Sequence, residues 1–558
     1  RLPETAGAAV DSLCVWRQSC GGHVGQAKRH LVPLSTKLQL VRRKRGRRLR
    51  ICLGTGLSHF RDRFPCVLGC NAHSTYGPPR RPASRAGALK GEKMSTISSR
   101  LGSRLLFAAA SLAILAACSP ETPAAPAAPA AAAALPSDAQ TWPAAAVADP
   151  AALGFTAEGL AALDARLQKS VADGDVAGMT YILGKGGDIA AFNAFGVQSG
   201  DPKTGAPMTK DSLFRIYSMS KPITGVAMMQ LYEKGLWQMD DPVSKHVPEL
   251  AGLKVLSWKD GKPEMKGGKP VLVAASAEPT MKQLMSHTAG FGYGLSGDDP
   301  VNNAFRDNLV LASANLDEMM TKIKDIPLIY DPGSRWYYSV GVDIQGYIVQ
   351  KLSGQKFGEY LKANIFTPLG MNDTSFYVTE ANVPRFADVY RWDKDAKALM
   401  KNEERPDRPR FTDSNRMESG GGGLVSTTHD YARFAQMFLA GKGTLAGATL
   451  LKPETVELMR TNAIGDLKLY SDGTTANPGL SGVGFGMDFA IYDDPSITGQ
   501  PYGKGAHYWG GAAGTWFWID PANDLFFVGM IQSMGGARPE GMNFRNESAK
   551  LVYEALKP

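Results

Sequence analysis

The sequence predicts an α+β fold in which both ends of the folded region contribute strands to one antiparallel sheet. Near residue 180, MTYILGK and DIAAFNAFG flank the turn Gly186-Gly187, a pattern typical of a β-hairpin. Near the C-terminus, GTWFWIDP and LFFVGMIQ flank Ala522-Asn523-Asp524 in the same way. The stretch between the two hairpins is mostly helical or loop-like. We therefore predict a sheet built from both chain ends, flanked by helices, with a mostly helical middle.

Helical patterns precede, separate and follow the two hairpins. Apolar residues recur at helical spacing from Leu160 to Val171, before the first hairpin. The segment 218–235 predicts a mostly apolar helix with Pro222 in its first turn and Gly235 at its end. Further helices are expected at 342–354 and at about 544–556.

The positive charge of the chain is concentrated before residue 94. Residues 1–93 hold 19 Lys and Arg against 4 Asp and Glu, a net charge of +15, and the remainder holds 43 against 49, a net charge of −6. The basic run at 41–50 is therefore no evidence about the partner of the main body. We expect no nucleic-acid partner.

The segment after Met94 has the parts of a secretory signal. Arg100 and Arg104 precede an apolar run at 105–117 that is short for a bilayer span. The sequence LAAC, which ends at Cys118, resembles a bacterial lipoprotein signal, in which the cysteine is lipidated and becomes the mature N-terminus. The alternative is an ordinary signal cleaved at a small residue. We favour lipidation, because Cys118 is the only cysteine after residue 94. The expected location is a bacterial membrane, facing the periplasm or the exterior.

These features divide the chain into four parts. Residues 1–93 lack hydrophobic periodicity and are interpreted as untranslated upstream sequence or a disordered segment; residues 94–117 are the signal peptide. Residues 118–149 are an Ala/Pro-rich tether. Residues 150–558 are the folded domain, with an α/β part at about 150–245 and 425–558 and a mostly helical part at 246–424.

The pattern Ser-x-x-Lys occurs at Ser218/Lys221 and at Ser353/Lys356, and about two occurrences are expected by chance in a chain of this composition. At a helix start, Ser218 and Lys221 share one face, and the helix N-terminus favours negative charge on a reacting oxygen. A lysine in a poorly solvated pocket beside a seryl oxygen is a credible base. The motif alone fits a helix cap with a solvated lysine at least as well. Ser353 lies beside Gly354 at a helix end, where a turn explains it.

Two later stretches favour the catalytic interpretation of Ser218. DPGSRWYYSVG at 331–341 contains Tyr338, and HYWGGAAGTWFWID at 507–520 contains a glycine-rich turn before a strand. The order Ser-x-x-Lys, Tyr-Ser-x, Trp-Gly-Gly resembles the serine β-lactamase and penicillin-binding superfamily over nearly all of residues 150–558. It is most similar to the family VIII carboxylesterases, which are class C β-lactamase-like. The resemblance implies a β-lactamase/transpeptidase-like fold.

The resemblance also implies roles for individual residues. Ser218 is the expected nucleophile, and Lys221 and Tyr338 are expected to take its proton and later to activate water. The oxyanion hole is expected to consist of the backbone N–H groups of Ser218 and Ala512, with Ala512 on the strand after Trp509-Gly510-Gly511. Tyr337 is expected to be structural.

Two departures from the superfamily pattern narrow the expected substrate. Val340 stands where these enzymes usually have Asn, and Trp509-Gly510-Gly511 stands where they usually have Lys-Thr-Gly. The usual lysine helps to recognise the carboxylate of penicillins and cephalosporins, whereas Trp509 offers an apolar wall. Both changes favour an uncharged, compact ester. We expect these residues to line the substrate pocket and His507 to lie at its mouth.

The expected activity is a serine carboxylesterase that hydrolyses short-chain esters through an acyl-enzyme, with weak cephalosporin hydrolysis. The alternatives are a class C-like β-lactamase or D-amino peptidase, an acyltransferase, and a penicillin-recognising protein that binds without turnover. No cofactor or metal is expected. The histidines after Met94 show no metal-ligand spacing, and no Gly-x-Ser-x-Gly occurs.

Overall fold

The structure is a computed structural model that describes residues 148–404, 409–445, 447–469, 480–534 and 541–557. The predictions for residues 1–93, the signal peptide at 94–117, Cys118 and nearly all of the tether lie outside the described residues.

The described helices are α1 Ala157–Ala172, α2 Ser220–Glu233, α3 Val243–His246, α4 Met281–Met285, α5 Pro300–Asp307, α6 Leu316–Ile323, α7 Gly341–Ser353, α8 Phe357–Leu361, α9 Thr367–Leu369, α10 Thr428–Leu439, α11 Pro453–Met459, α12 Pro495–Thr498 and α13 Phe544–Ala555. The strands are β1 Gly178–Lys185, β2 Asp188–Ser199, β3 Ala206–Pro207, β4 Phe214–Arg215, β5 Lys254–Leu256, β6 Trp258–Lys259, β7 Lys262–Pro263, β8 Met265–Lys266, β9 Lys269–Pro270, β10 Leu272–Ala274, β11 Tyr390–Asp393, β12 Ala398–Lys401, β13 Val425–Ser426, β14 Thr444–Leu445, β15 Ala448–Thr449, β16 Val483–Phe485, β17 Ala490–Tyr492, β18 His507–Gly510, β19 Trp516–Asp520, β20 Leu525–Ile531 and β21 Ser533–Met534.

The central sheet joins the two predicted hairpins. Its eight strands are antiparallel and follow the order β16-β17-β18-β19-β20-β1-β2-β3. Strand β1 of the first hairpin pairs directly with β20 of the second, with Tyr181 opposite Gly529. The prediction of one antiparallel sheet built from both chain ends is confirmed.

Helices cover both faces of this sheet, which explains why β1 and β20 are apolar along nearly their whole length. On one face, the Tyr181 hydroxyl donates to Asp164 of α1, and α1 packs against α13. On the other face, Thr180 is hydrogen-bonded to Thr428 at the start of α10. Because successive side chains of a strand point to opposite faces, β1 buries one set against each helical layer.

The middle of the chain is less helical than predicted. Helices α4 to α9 lie there, but so do β5 to β12, which form small two- and three-stranded sheets. Most of these strands are two or three residues long, so they are too short to show alternation. In the described part of the chain, no helix is long and apolar enough to cross a membrane.

Candidate active site

Ser218 lies on a sharp turn between a strand and a helix. Strand β4 pairs with β13 and is followed by the 3₁₀ turn Tyr217–Met219, after which α2 begins at Ser220. Ser218 therefore precedes the helix, which was predicted to start at this serine. Tyr217, the residue before it, has a φ of 42°, a left-handed conformation that costs a residue with a side chain about 1–3 kcal/mol. The surrounding packing holds this strained turn and presents Ser218 in a fixed orientation.

The structure brings the three predicted catalytic side chains together. The Tyr338 hydroxyl lies 2.6 Å from Ser218 Oγ, and Lys221 Nζ lies 3.4 Å from the same oxygen. Lys221 Nζ is also 4.5 Å from the centroid of the Tyr338 ring. Lys221 is fully buried, whereas Ser218 and Tyr338 are partly exposed. A nucleophile that solvent can reach thus contacts two groups that can accept its proton.

Two further groups contact the side-chain nitrogen of Lys221. Its Nζ donates to the Gly421 carbonyl at 2.6 Å and lies 3.3 Å from the Tyr293 hydroxyl. The Gly421 N–H in turn donates to Asp343 of α7 at 3.1 Å. The sequence analysis missed these three residues. Tyr293 and Gly421 lie 72 and 200 residues from Lys221 along the chain, and no local spacing links them to it.

Aromatic rings fix the position of Tyr338. Its ring centroid lies 4.9 Å from that of His287, 5.7 Å from that of Trp509 and 6.1 Å from that of Trp336. His287 Nδ1 accepts the Ser339 N–H at 3.2 Å. Burial, with a smaller contribution from the charge of Lys221, holds the pKa of His287 well below 6.5, so its imidazole is neutral. His287 therefore packs behind Tyr338 as an uncharged support.

Tyr337 points away from the nucleophile. Its hydroxyl accepts a hydrogen bond from Asn302 at 2.8 Å, and burial raises its pKa to about 12. The neighbouring tyrosines thus have different surroundings, and only Tyr338 contacts Ser218 in the described structure.

The glycine-rich turn lies against the Ser218 turn. Thr515 Oγ1 donates to the Ile216 carbonyl at 3.4 Å, and a Cβ on Gly511 would approach that carbonyl oxygen to 2.5 Å. In the described structure, neither the Ser218 N–H nor the Ala512 N–H donates a hydrogen bond to the protein. Two free backbone donors on adjoining turns are what an oxyanion hole requires.

The predicted location of Ala512 on a strand is wrong. Strand β18 ends at Gly510 and β19 begins at Trp516, so Ala512 lies in the turn between them. The turn is closed by the Gly511 N–H, which donates to the Thr515 carbonyl at 2.7 Å. Ladder hydrogen bonds would have occupied the backbone donors of a strand, whereas this turn leaves the Ala512 N–H available.

Gly511→Ala is expected to lower kcat for ester hydrolysis by about 10²- to 10³-fold, the effect of losing one oxyanion donor. The added Cβ would lie 2.2 Å from Thr515 Oγ1 and 2.5 Å from the Ile216 carbonyl, so the turn must move away from Ser218. Gly510→Ala is the matched control, because a Cβ there would meet only the Thr515 carbonyl, at 3.1 Å. Equal kcat values for the two variants would contradict this account of the turn.

The predicted pocket residues differ in their exposure to solvent. Gly510 and Gly511 are partly exposed beside Ser218, as a substrate site requires. Trp509 is 2% exposed and packs against Tyr338 and Phe485. It therefore supports the Tyr338 ring and offers little surface to a substrate. Val340 precedes the first residue of α7 and is fully buried, which leaves it no surface for a substrate.

The expectation that His507 lies at the pocket mouth is wrong. His507 is fully buried, stacks on Phe489 at a centroid distance of 4.9 Å and packs edge-on against Phe438 of α10. It shares a face of β18 with Trp509 but lies two residues further from the glycine-rich turn, under a helix. His507 is a core residue.

His507 makes the fold sensitive to acid. Burial lowers its pKa to about 4, so between pH 6.5 and about 4 the unfolded chain binds a proton that the folded chain rejects. Between these two pH values, this group should therefore remove about 1.4 kcal/mol of stability per pH unit. Urea unfolding at pH 7 and pH 5 should show a larger loss for wild type than for His507→Gln. Parallel losses in the two proteins would contradict the assignment.

A buried carboxyl lies behind the Lys221 helix. Asp488, with a φ of 70°, is fully buried and accepts a hydrogen bond from Gln345 of α7 at 3.0 Å. Its Oδ2 lies so close to Gly225, one turn after Lys221, that a Cβ there would approach it to 2.8 Å. Burial raises the pKa of Asp488 well above 3.8, which favours its neutral form. Burial of this carboxyl therefore weakens the counter-charge behind Lys221.

The fold and the site together are those expected of an acyl-transfer enzyme, with the hydroxyl of Ser218 beside Lys221 and Tyr338. Groups of His, Cys, Asp and Glu arranged to hold a metal ion are absent from the described residues. Residues 163–550 match the family model described as beta-lactamase, and the chain belongs to this family.

Two relatives and one solved structure are similar to this chain. The chain is 34% identical over 335 residues to Protein Rv1367c of Mycobacterium tuberculosis, covering 60% of this chain and 80% of the relative. It is 30% identical over 398 residues to Esterase EstB of Burkholderia gladioli, covering 68% of this chain and 92% of the relative. The structure of EstCE1, a hydrolase with promiscuous acyltransferase activity, has a TM-score of 0.57 at 24% identity and covers 71% of this chain and 99% of its own. At that identity the structural match supports the fold alone.

Proposed function

We propose that this protein is a serine carboxylesterase that hydrolyses short-chain, uncharged carboxylic esters through an acyl-enzyme. The observation that carries the proposal is the contact of the Tyr338 hydroxyl with Ser218 Oγ at 2.6 Å, with Lys221 Nζ 3.4 Å from the same oxygen. The similarity to Esterase EstB supports an ester hydrolase.

Acylation follows from this geometry. Ser218 Oγ attacks the ester carbonyl carbon and gives its proton to the unprotonated member of the Lys221–Tyr338 pair, which is either the Lys221 amine or a Tyr338 phenolate beside a Lys221 ammonium. The carbonyl oxygen becomes negatively charged beside the N–H groups of Ser218 and Ala512. When the bond from carbon to the alcohol oxygen breaks, the pair returns the proton to the alcohol, and the acyl group remains on Ser218.

Deacylation repeats these steps with water. The same pair takes a proton from water, the hydroxide oxygen attacks the acyl carbon, and the bond to Ser218 Oγ breaks. The proton returns to Ser218, and the carboxylic acid leaves. Lys221 and Tyr338 act as one unit in both steps, because Lys221 Nζ lies 4.5 Å from the centroid of the Tyr338 ring.

The surroundings of Ser218 support an uncharged substrate. Trp509 and Gly510 stand where an anionic β-lactam would meet a lysine and a threonine in the enzymes that this chain resembles, and neither residue carries a positive charge. The buried cation Arg215 donates to the Ala387 carbonyl and pairs with Glu404 at 2.6 Å. It is therefore not available to bind the carboxylate of a substrate. An ester without a carboxylate therefore fits this site better than a penicillin does.

The strongest second candidate is acyl transfer to an alcohol. EstCE1 is described as a hydrolase with promiscuous acyltransferase activity, and an acyl-enzyme accepts either water or an alcohol. A class C-like β-lactamase, a D-amino peptidase and a penicillin-recognising binding protein are weaker candidates for the same site. Weak cephalosporin hydrolysis by Ser218 is expected to accompany the esterase activity.

The proposed location is a bacterial membrane. The support is the sequence alone: a charged segment, an apolar run at 105–117 and Cys118 at the position of a lipidated cysteine. Mass spectrometry of the N-terminal peptide from the exported protein tests this proposal. A diacylglycerol adduct on Cys118 would support it, and an unmodified mature N-terminus at another residue would contradict it.

Comparing hydrolysis of p-nitrophenyl butyrate and nitrocefin by the wild-type chain tests the substrate class. The proposal predicts a kcat/KM for the ester well above that for nitrocefin. A higher value for nitrocefin would favour the β-lactamase, and one equivalent of bound acyl group without turnover would favour the binding protein. If added methanol diverts most of the acyl group to the methyl ester, the acyltransferase is favoured.

A further inference from the structure

Residues 254–274, called here the lysine arm, form a compact projection from the middle of the chain. Its strands β5 to β10 pair as β5 with β10, β6 with β7 and β8 with β9. At its base, the Leu256 N–H donates to the Leu328 carbonyl at 2.9 Å, and the Trp258 indole donates to the Ile329 carbonyl at 2.7 Å. The arm is therefore fixed to the domain.

The arm carries a local positive charge. It contains five lysines, all exposed, against Asp260 and Glu264, a net charge of +3; the lysines are Lys254, Lys259, Lys262, Lys266 and Lys269. None of them forms an ion pair within the described structure. Because residues 94–558 have a net charge of −6, the arm is a cationic patch on an acidic protein.

Apolar side chains are exposed on the same arm. Met265 is 51% exposed, Leu272 42% and Val273 46%. Leu272 and Val273 are consecutive residues of β10, so this strand is exposed on both faces. A cleft of about 470 Å³ at the base of the arm is lined by Val273 and by the stacked rings of Trp258 and Tyr330.

We propose that the lysine arm docks on an anionic lipid surface. Cationic side chains attract anionic headgroups, and exposed apolar and aromatic side chains enter the boundary between headgroups and acyl chains. Lysines on short edge strands can serve simply to prevent pairing with another chain. That role would not explain why the apolar side chains of Met265, Leu272 and Val273 are exposed beside them. The combination of charge and apolar surface matches a lipid interface better than it matches an acidic protein.

Docking would attach the segment that precedes Tyr338 to the membrane, because the arm is hydrogen-bonded to Leu328 and Ile329 in that segment. The docking itself depends neither on the proposed esterase activity nor on lipidation of Cys118.

Hydrogen–deuterium exchange of the full chain measures protection of the lysine arm itself. It therefore tests the proposal independently of any membrane binding by the N-terminal segment. Vesicles of phosphatidylglycerol should slow exchange in peptides from 254–274, and vesicles of phosphatidylcholine should not. About 0.5 M NaCl should reverse this protection, because salt screens exposed charges. The variant with Lys259, Lys262, Lys266 and Lys269 replaced by Gln should need at least about tenfold more anionic lipid for the same protection.

The matched control replaces four exposed lysines elsewhere, Lys169, Lys203, Lys362 and Lys550, by Gln. This variant loses the same charge and should keep wild-type protection of the arm. Hydrolysis of a soluble aryl ester should be unchanged in both variants, since none of these lysines belongs to the site. Equal protection by both kinds of vesicle, or protection by neither, would overturn the proposal. Protection by soluble polyglutamate but not by vesicles would overturn it in favour of an acidic protein partner.

Discussion

Ser218→Ala is expected to reduce kcat/KM for p-nitrophenyl butyrate by about a thousandfold or more, because no acyl-enzyme can form without the hydroxyl. Ser218 Oγ contacts both Tyr338 and Lys221. Among the described hydrogen bonds, the Tyr293 hydroxyl is the only other hydroxyl that contacts Lys221. The backbone N–H of residue 218 remains in the variant, so substrate binding should change much less than kcat.

Ser353→Ala is the matched control for this change. Ser353 and Lys356 repeat the Ser-x-x-Lys spacing, but Ser353 ends α7 and its hydroxyl accepts the Gln355 N–H at 3.2 Å. This variant should retain wild-type kcat/KM. Ester turnover that survives in Ser218→Ala would remove Ser218 as the nucleophile.

Tyr338→Phe is expected to lower kcat by about 10²- to 10⁴-fold, the usual effect of removing a group that transfers a proton. The hydroxyl that is lost lies 2.6 Å from Ser218 Oγ, whereas the ring keeps its contacts with His287 and Trp509. The thermal midpoint of unfolding should therefore remain close to that of wild type. Steady-state kinetics should show the loss in kcat, with a small change in KM.

Tyr337→Phe separates a catalytic effect from the loss of any tyrosine hydroxyl at this turn. The Tyr337 hydroxyl accepts from Asn302 and has no contact with Ser218 in the described structure. Its removal should affect stability more than kcat. If Tyr337→Phe lowered kcat as much as Tyr338→Phe, the hydroxyl of Tyr338 would have no special role in proton transfer.

The sequence was sufficient to predict the sheet and the central part of the site because both rest on local patterns. The two hairpins are long enough to show turn residues and apolar strands, and these became β1–β2 and β19–β20. Ser218 and Lys221 are three residues apart, and the 3₁₀ turn that leads into α2 brings residues at this spacing together. The placement of Tyr338 came from the family resemblance and not from spacing.

Contacts between distant segments could not be predicted in this way. Tyr293 and Gly421 reach Lys221 from positions 72 and 200 residues away along the chain. His507 shares a strand face with Trp509, and the pattern could not show that α10 covers the part of that face where His507 lies. The short strands of the lysine arm carry no periodic signal, so the middle of the chain appeared more helical than it is.

The most direct test of the central claim is to trap the acyl-enzyme. Wild-type protein mixed with p-nitrophenyl butyrate and quenched in acid within the first turnovers should carry one butyryl group by intact mass. Peptide mapping should place this group on Ser218, and Ser218→Ala should carry none. A butyryl group on another residue, or turnover with no covalent adduct at any quench time, would contradict the account.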